Sequence, residues 1–223
     1  MENTYVKKRG RGRPPKQERT YDEVRETLIR AGLALLTEKG FSAVGVDEIS
    51  RRVDVPKGSF YYYFKSKEAF GAELIDRYGV YFSSKLDRFL MDESRFPLQR
   101  IRDFIADRII GMGRHDFRRG CLVGNLGQEM NSLPETFRAR VEEVFLDWQT
   151  RLEKCFLKAK EAGEIVDDVD CGELAAVFWI GWEGAVLRAK LERNPKPLIL
   201  FADFFFQRIV APGRAGAPFE DTI

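Results

Sequence analysis

Residues 56–68 read Pro-Lys-Gly-Ser-Phe-Tyr-Tyr-Tyr-Phe-Lys-Ser-Lys-Glu, and the five consecutive aromatics at 60–64 restrict the fold more than any other stretch. Side chains on an α-helix step by about 100°, so five neighbours ring the helix and cannot all face one core. Phe60 and Phe64, four apart, share a face and are expected inward. Tyr61, Tyr62 and Tyr63 are then expected at the surface, hydroxyl groups outward. Pro56 suits the first turn of this short helix, about 57–64.

The flanking pattern is helical too. Val24, Leu28, Ala31, Leu35 and Leu36 recur at three- and four-residue steps, which predicts a helix over roughly 22–38 closed by Gly40. A second short helix spans about 47–53, with Asp47 as its cap and Ile49 and Val53 inward. A long helix starts at Ser66-Lys67-Glu68, with Ser66 as N-cap, and runs towards 90. Further helices fall near 98–114, 122–131, 135–162, 171–192 and 197–210, separated by Pro, Gly or acidic turns. Strand-like alternation and internal repeats are absent. The expected fold is all-α, about nine helices, with an N-terminal three-helix helix-turn-helix domain and a helical C-terminal domain.

Two short helices joined by a tight turn and buried by a first helix make a helix-turn-helix. So short a second helix reaches the major-groove floor with its leading turn alone. Lys57 can bond guanine acceptors, Gly58 permits close approach, and Ser59 serves base or phosphate. The hydroxyls of Tyr61, Tyr62 and Tyr63 can donate to phosphates, and Tyr61 can touch a thymine methyl. Lys65 and Lys67 sit at the next helix's start, where ammonium and free N–H groups both favour phosphate. The block from Val46 to Glu68 resembles the TetR family, above all in its glycine, aromatic, Tyr-Phe, Lys and Lys-Glu signature. One departure concerns the start of the second helix: many members carry a phosphate-contacting Thr there, where this chain has Val44, Gly45 and Val46. A second is Val55-Pro56, at a position often filled by a small hydroxyl residue.

Charge adds a second element. The net charge of +2 divides unevenly: residues 1–20 hold seven Lys/Arg against Glu2 and Glu18, a local +5, which leaves the other 203 residues at −3. A basic arm on a mildly acidic body points the arm at a polyanion. Its Arg11-Gly12-Arg13-Pro14 resembles an AT-hook core, so Arg11 and Arg13 either enter a narrow A·T-rich minor groove or add unspecific charge. The expected layout is a disordered basic AT-hook-like arm over 1–20, the DNA-binding domain over 21–68, the ligand-binding and dimerisation domain over 69–211, and a flexible tail over 212–223.

The TetR resemblance implies a homodimer on a palindromic operator, paired through two late helices. Leu174, Val177, Phe178, Gly181, Gly184, Ala185 and Leu187 stand on the first. Leu198, Phe201, Phe204, Phe205 and Ile209 stand on the second. Phe178, Gly181, Phe201, Phe204 and Phe205 are the expected interface. The segments Arg119–Met130 and Trp182–Lys190 resemble a TetR branch that includes repressors answering N-ethylmaleimide, other electrophiles, or acrylate. That likeness implies that Cys121 and Lys190 come together as a sensor, an ammonium lowering the thiol pKa. The other reading of Cys121 is a buried small apolar residue. A short-acid effector needs a cation in an apolar cavity. Arg108, Lys190 and Arg188 are candidates, with Asn125, Trp148, Trp182, Phe178, Trp179 and Met112 as walls and His115 as a surface residue.

Other classes are disfavoured. One histidine and three widely spaced cysteines (Cys121, Cys155, Cys171) argue against a metal site, a disulfide framework or a catalytic triad, so neither cofactor nor enzyme activity is expected. Asp167 and Asp168 read as an exposed turn. No apolar run approaches the ~20 residues that span a bilayer, and the N-terminus lacks a signal-peptide pattern. A cytoplasmic, effector-released repressor is the expectation; a transcriptional activator or an A·T-rich architectural DNA-binding protein is the alternative.

Overall fold

A computed structural model describes residues 20–210. The arm with Arg11 and Arg13, and the tail from 211, lie outside the described residues. Among the described residues there are nine α-helices and no strand.

The first helix, α1 (Tyr21–Lys39), starts on a capping box: Thr20 Oγ1 accepts from the Glu23 N–H at 3.3 Å, and the Glu23 carboxylate accepts from the Thr20 N–H at 2.8 Å. It stops at Gly40, whose φ of +86° disfavours other residues. The short α2 (Val46–Arg52) and α3 (Lys57–Tyr63) follow. Asp54 turns the chain between them with φ +56°, a conformation aspartate tolerates better than most residues. Asp47 does not cap α2. The cap position is Gly45, which offers no side chain, while Asp47 lies within the helix and pairs with Lys57 at 2.9 Å. Pro56 likewise sits at the cap of α3 rather than inside its first turn.

The long α4 (Lys67–Leu90) is capped by Ser66, whose Oγ accepts from the Ala69 N–H at 3.1 Å. It belongs to both halves: Phe70 and Leu74 close the N-terminal core, and Phe82 and Leu86 enter the C-terminal one. Ion pairs join it to α1, Arg25 to Glu73 and Arg77 to Glu26, and Arg77 also meets Glu73 within α4. Then come α5 (Pro97–Gly113), α6 (Leu122–Gln128), a 3-10 turn (Met130–Ser132), α7 (Glu135–Glu161), α8 (Cys171–Glu192) and α9 (Lys196–Phe204), the last continuing as a π-helical turn (Phe205–Val210). The single segment expected at 122–131 is therefore α6 plus a separate tight turn. Asp170 caps α8 through the N–H groups of Gly172 and Glu173, at 2.8 and 2.9 Å.

The C-terminal core lies where α7 packs between α4 and α8. Trp148 is fully buried at its centre, its ring 4.3 Å from Phe82 and 5.2 Å from Trp179. Large aromatics set the spacing of the three helices.

Candidate functional site

In the N-terminal half, α3 divides its aromatics as their spacing predicts. Phe60 and Phe64 are buried and stack on each other at 5.3 Å and on Phe70 at 5.2 and 4.7 Å. Tyr61 and Tyr62 are 52% and 74% exposed, far beyond what a core aromatic shows. Tyr63 is half-buried because Tyr21 of α1 covers its ring at 4.8 Å. Lys57, Gly58 and Lys65 are exposed and Ser59 is half-buried. A Cβ at Gly58 would meet no atom within 4 Å, so the fold itself does not require glycine there.

Two lysines are engaged. Lys57 donates to Asp47, and hydrogen bonding with that carboxylate raises its pKa. This pair is exposed and worth little, so a better partner can take the ammonium. Lys67 points inward: its Nζ donates to the Phe41 carbonyl at 2.8 Å and lies 4.3 Å from the Phe41 ring centroid, and burial lowers its pKa. It holds the α1–α2 loop rather than standing free for phosphate. Sequence reasoning passed over Arg51 and Arg52, both exposed on α2. Arg51 reaches the Asp47 carbonyl at 3.3 Å and so joins the Lys57 cluster. Only their basic character on a polar helix face could have signalled them.

A cavity of about 430 Å³ opens between α1, α4, α5 and α8. Buried Phe82, Cys121, Trp182 and Val186 form its floor together with Tyr78 and Glu183, and Arg108 and Met112 line a wall. Arg108 lies 5.7 Å from the Phe82 ring and bonds Asp107 from Nε at 3.1 Å, while burial lowers its pKa. Of the expected wall residues, Trp182 and Met112 line this space. Trp148, Phe178 and Trp179 instead fill the core, Trp148 because four neighbouring rings enclose it. Arg188 faces the other side of α8 and pairs with Glu192.

The expected thiol–ammonium pair does not form. The Lys190 methylenes lie against Gly120, but its ammonium donates to Asn125 Oδ1 at 3.0 Å and to the Thr37 carbonyl at 3.4 Å. The groups facing Cys121 are Tyr78 and Glu183. Burial first, then the Glu183 charge, push the thiol well above its usual range, so at neutral pH Cys121 is a protonated thiol. Its sulfur also accepts from the Gly124 N–H at 3.4 Å, capping α6. Burial raises the Glu183 carboxyl to about 7. A Cβ at Gly124 would overlap that carboxylate, so any other residue there would force the Glu183 side chain to move. Tyr78 was missed because it belongs to no short motif, and Glu183, although inside the Trp182–Lys190 segment, because nothing in the sequence shows that it turns toward the Cys121 thiol.

Asn125 lies outside the cavity and ties α6 to the end of α1, donating to the carbonyls of Leu36 and Thr37 at 3.0 and 2.9 Å. Glu129, just past α6, accepts from the N–H groups of Phe41 and Ser42 at 2.9 and 2.7 Å. Charge-assisted bonds of this kind are among the stronger polar contacts. The cavity floor and the α1–α2 loop are thus joined by one seven-residue helix.

The late helices also differ from expectation. Phe178 and Phe205 are fully buried inside the protomer, 5.2 Å apart, and Phe201 lies over Gly181. Of the five expected interface residues, Phe204 is the exposed one, at 56%. The outward face is aliphatic: Val177, Ile180, Leu187 and Leu191 on α8, with Gly184 among them, and Leu200 on α9. These positions on α8 repeat at steps of three and four, a seam suited to another helix. The large rings went inward because they fill more of the core.

Among the described residues no group of three or more His, Cys, Asp or Glu could hold a metal ion. No helix there is long and apolar enough to cross a membrane.

Residues 28–74 match the family model for bacterial regulatory proteins of the tetR family, and residues 97–205 match that for the tetracyclin repressor-like C-terminal domain. The chain is 54% identical to the transcriptional regulator AcuR of Cereibacter sphaeroides, over 83% of this chain and 84% of that one. It is 33% identical to the HTH-type transcriptional repressor DhaR of a Mycobacterium species, over 84% and 92%. The crystal structure of a regulatory protein TetR from Rhodobacter sphaeroides superposes with a TM-score of 0.80 at 54% identity, covering 81% of this chain and 96% of the other. Escherichia coli NemR in its reduced form superposes at 0.76 with 28% identity, covering 86% and 98%.

Proposed function

Since the chain belongs to the TetR family and is thereby a DNA-binding transcription regulator, we propose that it is a homodimeric repressor released from its operator by a small effector in the α1–α4–α5–α8 cavity. The observation that carries this reading is the division of the α3 region: Phe60 and Phe64 locked inward, and Lys57, Gly58, Tyr61 and Tyr62 turned outward, Lys57 held only by an exposed pair with Asp47. Repressors among the relatives support the sign of regulation.

In this reading Lys57, Gly58 and Ser59 meet base edges, and Tyr61, Tyr62, Tyr63 and Lys65 meet phosphates. Arg51 and Arg52 add backbone contacts, and Arg11 and Arg13 of the arm reach the minor groove. Lys67 acts indirectly by fixing the α1–α2 loop. Two copies paired through the aliphatic seam of α8 and α9 set the reading helices one DNA turn apart, about 34 Å.

The effector is a short acid, such as acrylate, or an electrophile. Arg108 supplies the cation, Trp182 and Phe82 the apolar wall, and Glu183 accommodates an anion when protonated. Electrophiles would act through Cys121 with Glu183 as the nearby proton acceptor, because the resting thiol is not ionised. Occupation of the floor displaces Cys121, the cap of α6. Asn125 and Glu129 carry that shift to the α1–α2 loop. A hundredfold loss of operator affinity needs about 2.7 kcal/mol of differential binding.

The experiment is a gel shift of the full chain on the promoter beside its own gene, titrated with acrylate and with N-ethylmaleimide. Wild type should leave the DNA, and Glu129→Gln should bind it but release at tenfold higher effector. Retention of the wild-type complex at every concentration would contradict an effector-released repressor.

A further inference from the structure

Nine arginines among the described residues are matched to a carboxylate. Arg25, Arg77, Arg140 and Arg151 each pair with a carboxylate, and Asp107 serves Lys85 at 2.9 Å and Arg108 on the cavity wall. Three arginines at the same opening are not. Arg30 of α1 reaches the Glu26 backbone carbonyl at 3.4 Å, Arg119 faces His115 Nε2 at 3.4 Å, and Arg114 ends α5. Among the described residues none of the three forms an ion pair with a carboxylate. Arg30 and Arg114 are exposed and Arg119 is half-buried, whereas the floor residues Phe82, Cys121 and Trp182 are buried. The cavity therefore has a cationic mouth and an apolar floor. Like charges gathered at one opening repel each other, and a multiply charged anion relieves that repulsion.

Size points the same way. Cavities of about 300–1,000 Å³ bury most of a drug-sized ligand, and this one holds about 430 Å³. A short acid seated against the floor leaves the mouth unfilled, where, among the described residues, Arg30 and Arg119 face no carboxylate and Arg114 is drawn only to Asp107, which Lys85 and Arg108 already engage. Guanidinium forks fit phosphate oxygens in a bidentate manner that a single ammonium cannot reproduce.

Building on the reading of this cavity as the effector site, we propose that its effector bears a phosphorylated handle. A short acyl or unsaturated group lies on the floor against Trp182 and Phe82, and the phosphate-bearing part is held at the mouth by Arg30, Arg114 and Arg119. Two kinds of molecule supply that chemistry, an acyl thioester of a phosphorylated nucleotide carrier and an acyl phosphate.

Quenching of tryptophan fluorescence in the full chain, read alongside operator release, tests this with four probes: propionyl-coenzyme A, propionyl phosphate, propionate and coenzyme A. At least one of the two esters should bind tenfold or more tightly than propionate, and which one it is identifies the source. Arg114→Ala combined with Arg119→Ala should cut binding of that ester about tenfold and change propionate binding less than twofold. Arg114→Lys with Arg119→Lys, which keeps the charge but loses the fork, should fall between. Arg114 is exposed and Arg119 half-buried, so an unchanged melting temperature is required of both double variants before their binding is compared. If propionate binds and releases DNA while neither ester binds better, the phosphorylated handle is wrong and the effector cavity stands. If neither the esters nor propionate binds or releases DNA, the cavity reading fails with it.

Discussion

The helices α3 and α8 are both rich in aromatic residues, and each buries phenylalanine on its inner face, yet they present opposite chemistry outward. On α3 the exposed residues are lysine, glycine and tyrosine, arranged around a Phe60–Phe64 anchor. On α8 they are Val177, Ile180, Leu187 and Leu191, with Phe178, Trp179 and Trp182 inward. Hydroxyls and cations around a small residue fit a polyanion whose groove must be approached closely. An aliphatic seam fits a second copy of itself. One fold thus uses the same device, an aromatic anchor on the inner face, to aim two different surfaces.

The comparison breaks first at α8. Ile180→Arg with Leu187→Arg places two charges in the aliphatic seam and should turn the dimer into a monomer. Operator affinity should then fall about a thousandfold, towards unspecific binding. Sedimentation equilibrium and a gel shift read both, and a dimer that survives would place the interface elsewhere. The next test separates inward from outward rings. Phe178→Ala should cost about 3–5 kcal/mol of stability in urea unfolding, at any protein concentration. Phe204→Ala should instead weaken the dimer and make the unfolding midpoint less dependent on protein concentration. Equal behaviour of the two variants would erase the distinction.

The smallest effect concerns the cavity floor. Glu183 has its folded pKa raised from 4.5 to about 7. The folded state therefore holds a proton that the unfolded chain gives up above about 4.5. Stability falls as pH rises through the window from about 4.5 to about 7, then levels off, by roughly 1–3 kcal/mol in all. Urea midpoints across that range should show the slope, and Glu183→Gln should flatten it. Tyr78 and Cys121, raised far above this window, leave it untouched.

Most helices were legible in the sequence to within a residue or two, because caps and breakers are local: Ser66, Pro97 and Gly40 act within a turn of where they stand, whereas Asp47 lies inside α2 and the segment expected at 122–131 is split. The facing of α3 was legible for a similar reason, since burying Phe60 turns Tyr61 and Tyr62 outward, while Phe64, just past the helix end in extended backbone, folds back on Phe60 and Phe70. The facing of α8 was not. A helix apolar on nearly all sides gives no period to choose by, and the choice of Phe178 over Ile180 for the core was made by α7 and α9. The cavity was half legible. Arg108, Met112, Cys121 and Trp182 were found, but Glu183 and Tyr78 reach the thiol from different helices, and Lys190 was diverted to Asn125 by a contact that only packing creates.

The most direct test of the account is a hydroxyl-radical footprint of the full chain on the promoter of its own gene, with wild type beside Lys57→Ala. Wild type should protect two half-sites one helical turn apart, and the variant should lose that pattern with its melting temperature unchanged, since the Lys57–Asp47 pair is exposed. An identical footprint from both proteins, or broad protection of A·T-rich DNA by either, would contradict the assignment of α3 as the reading helix.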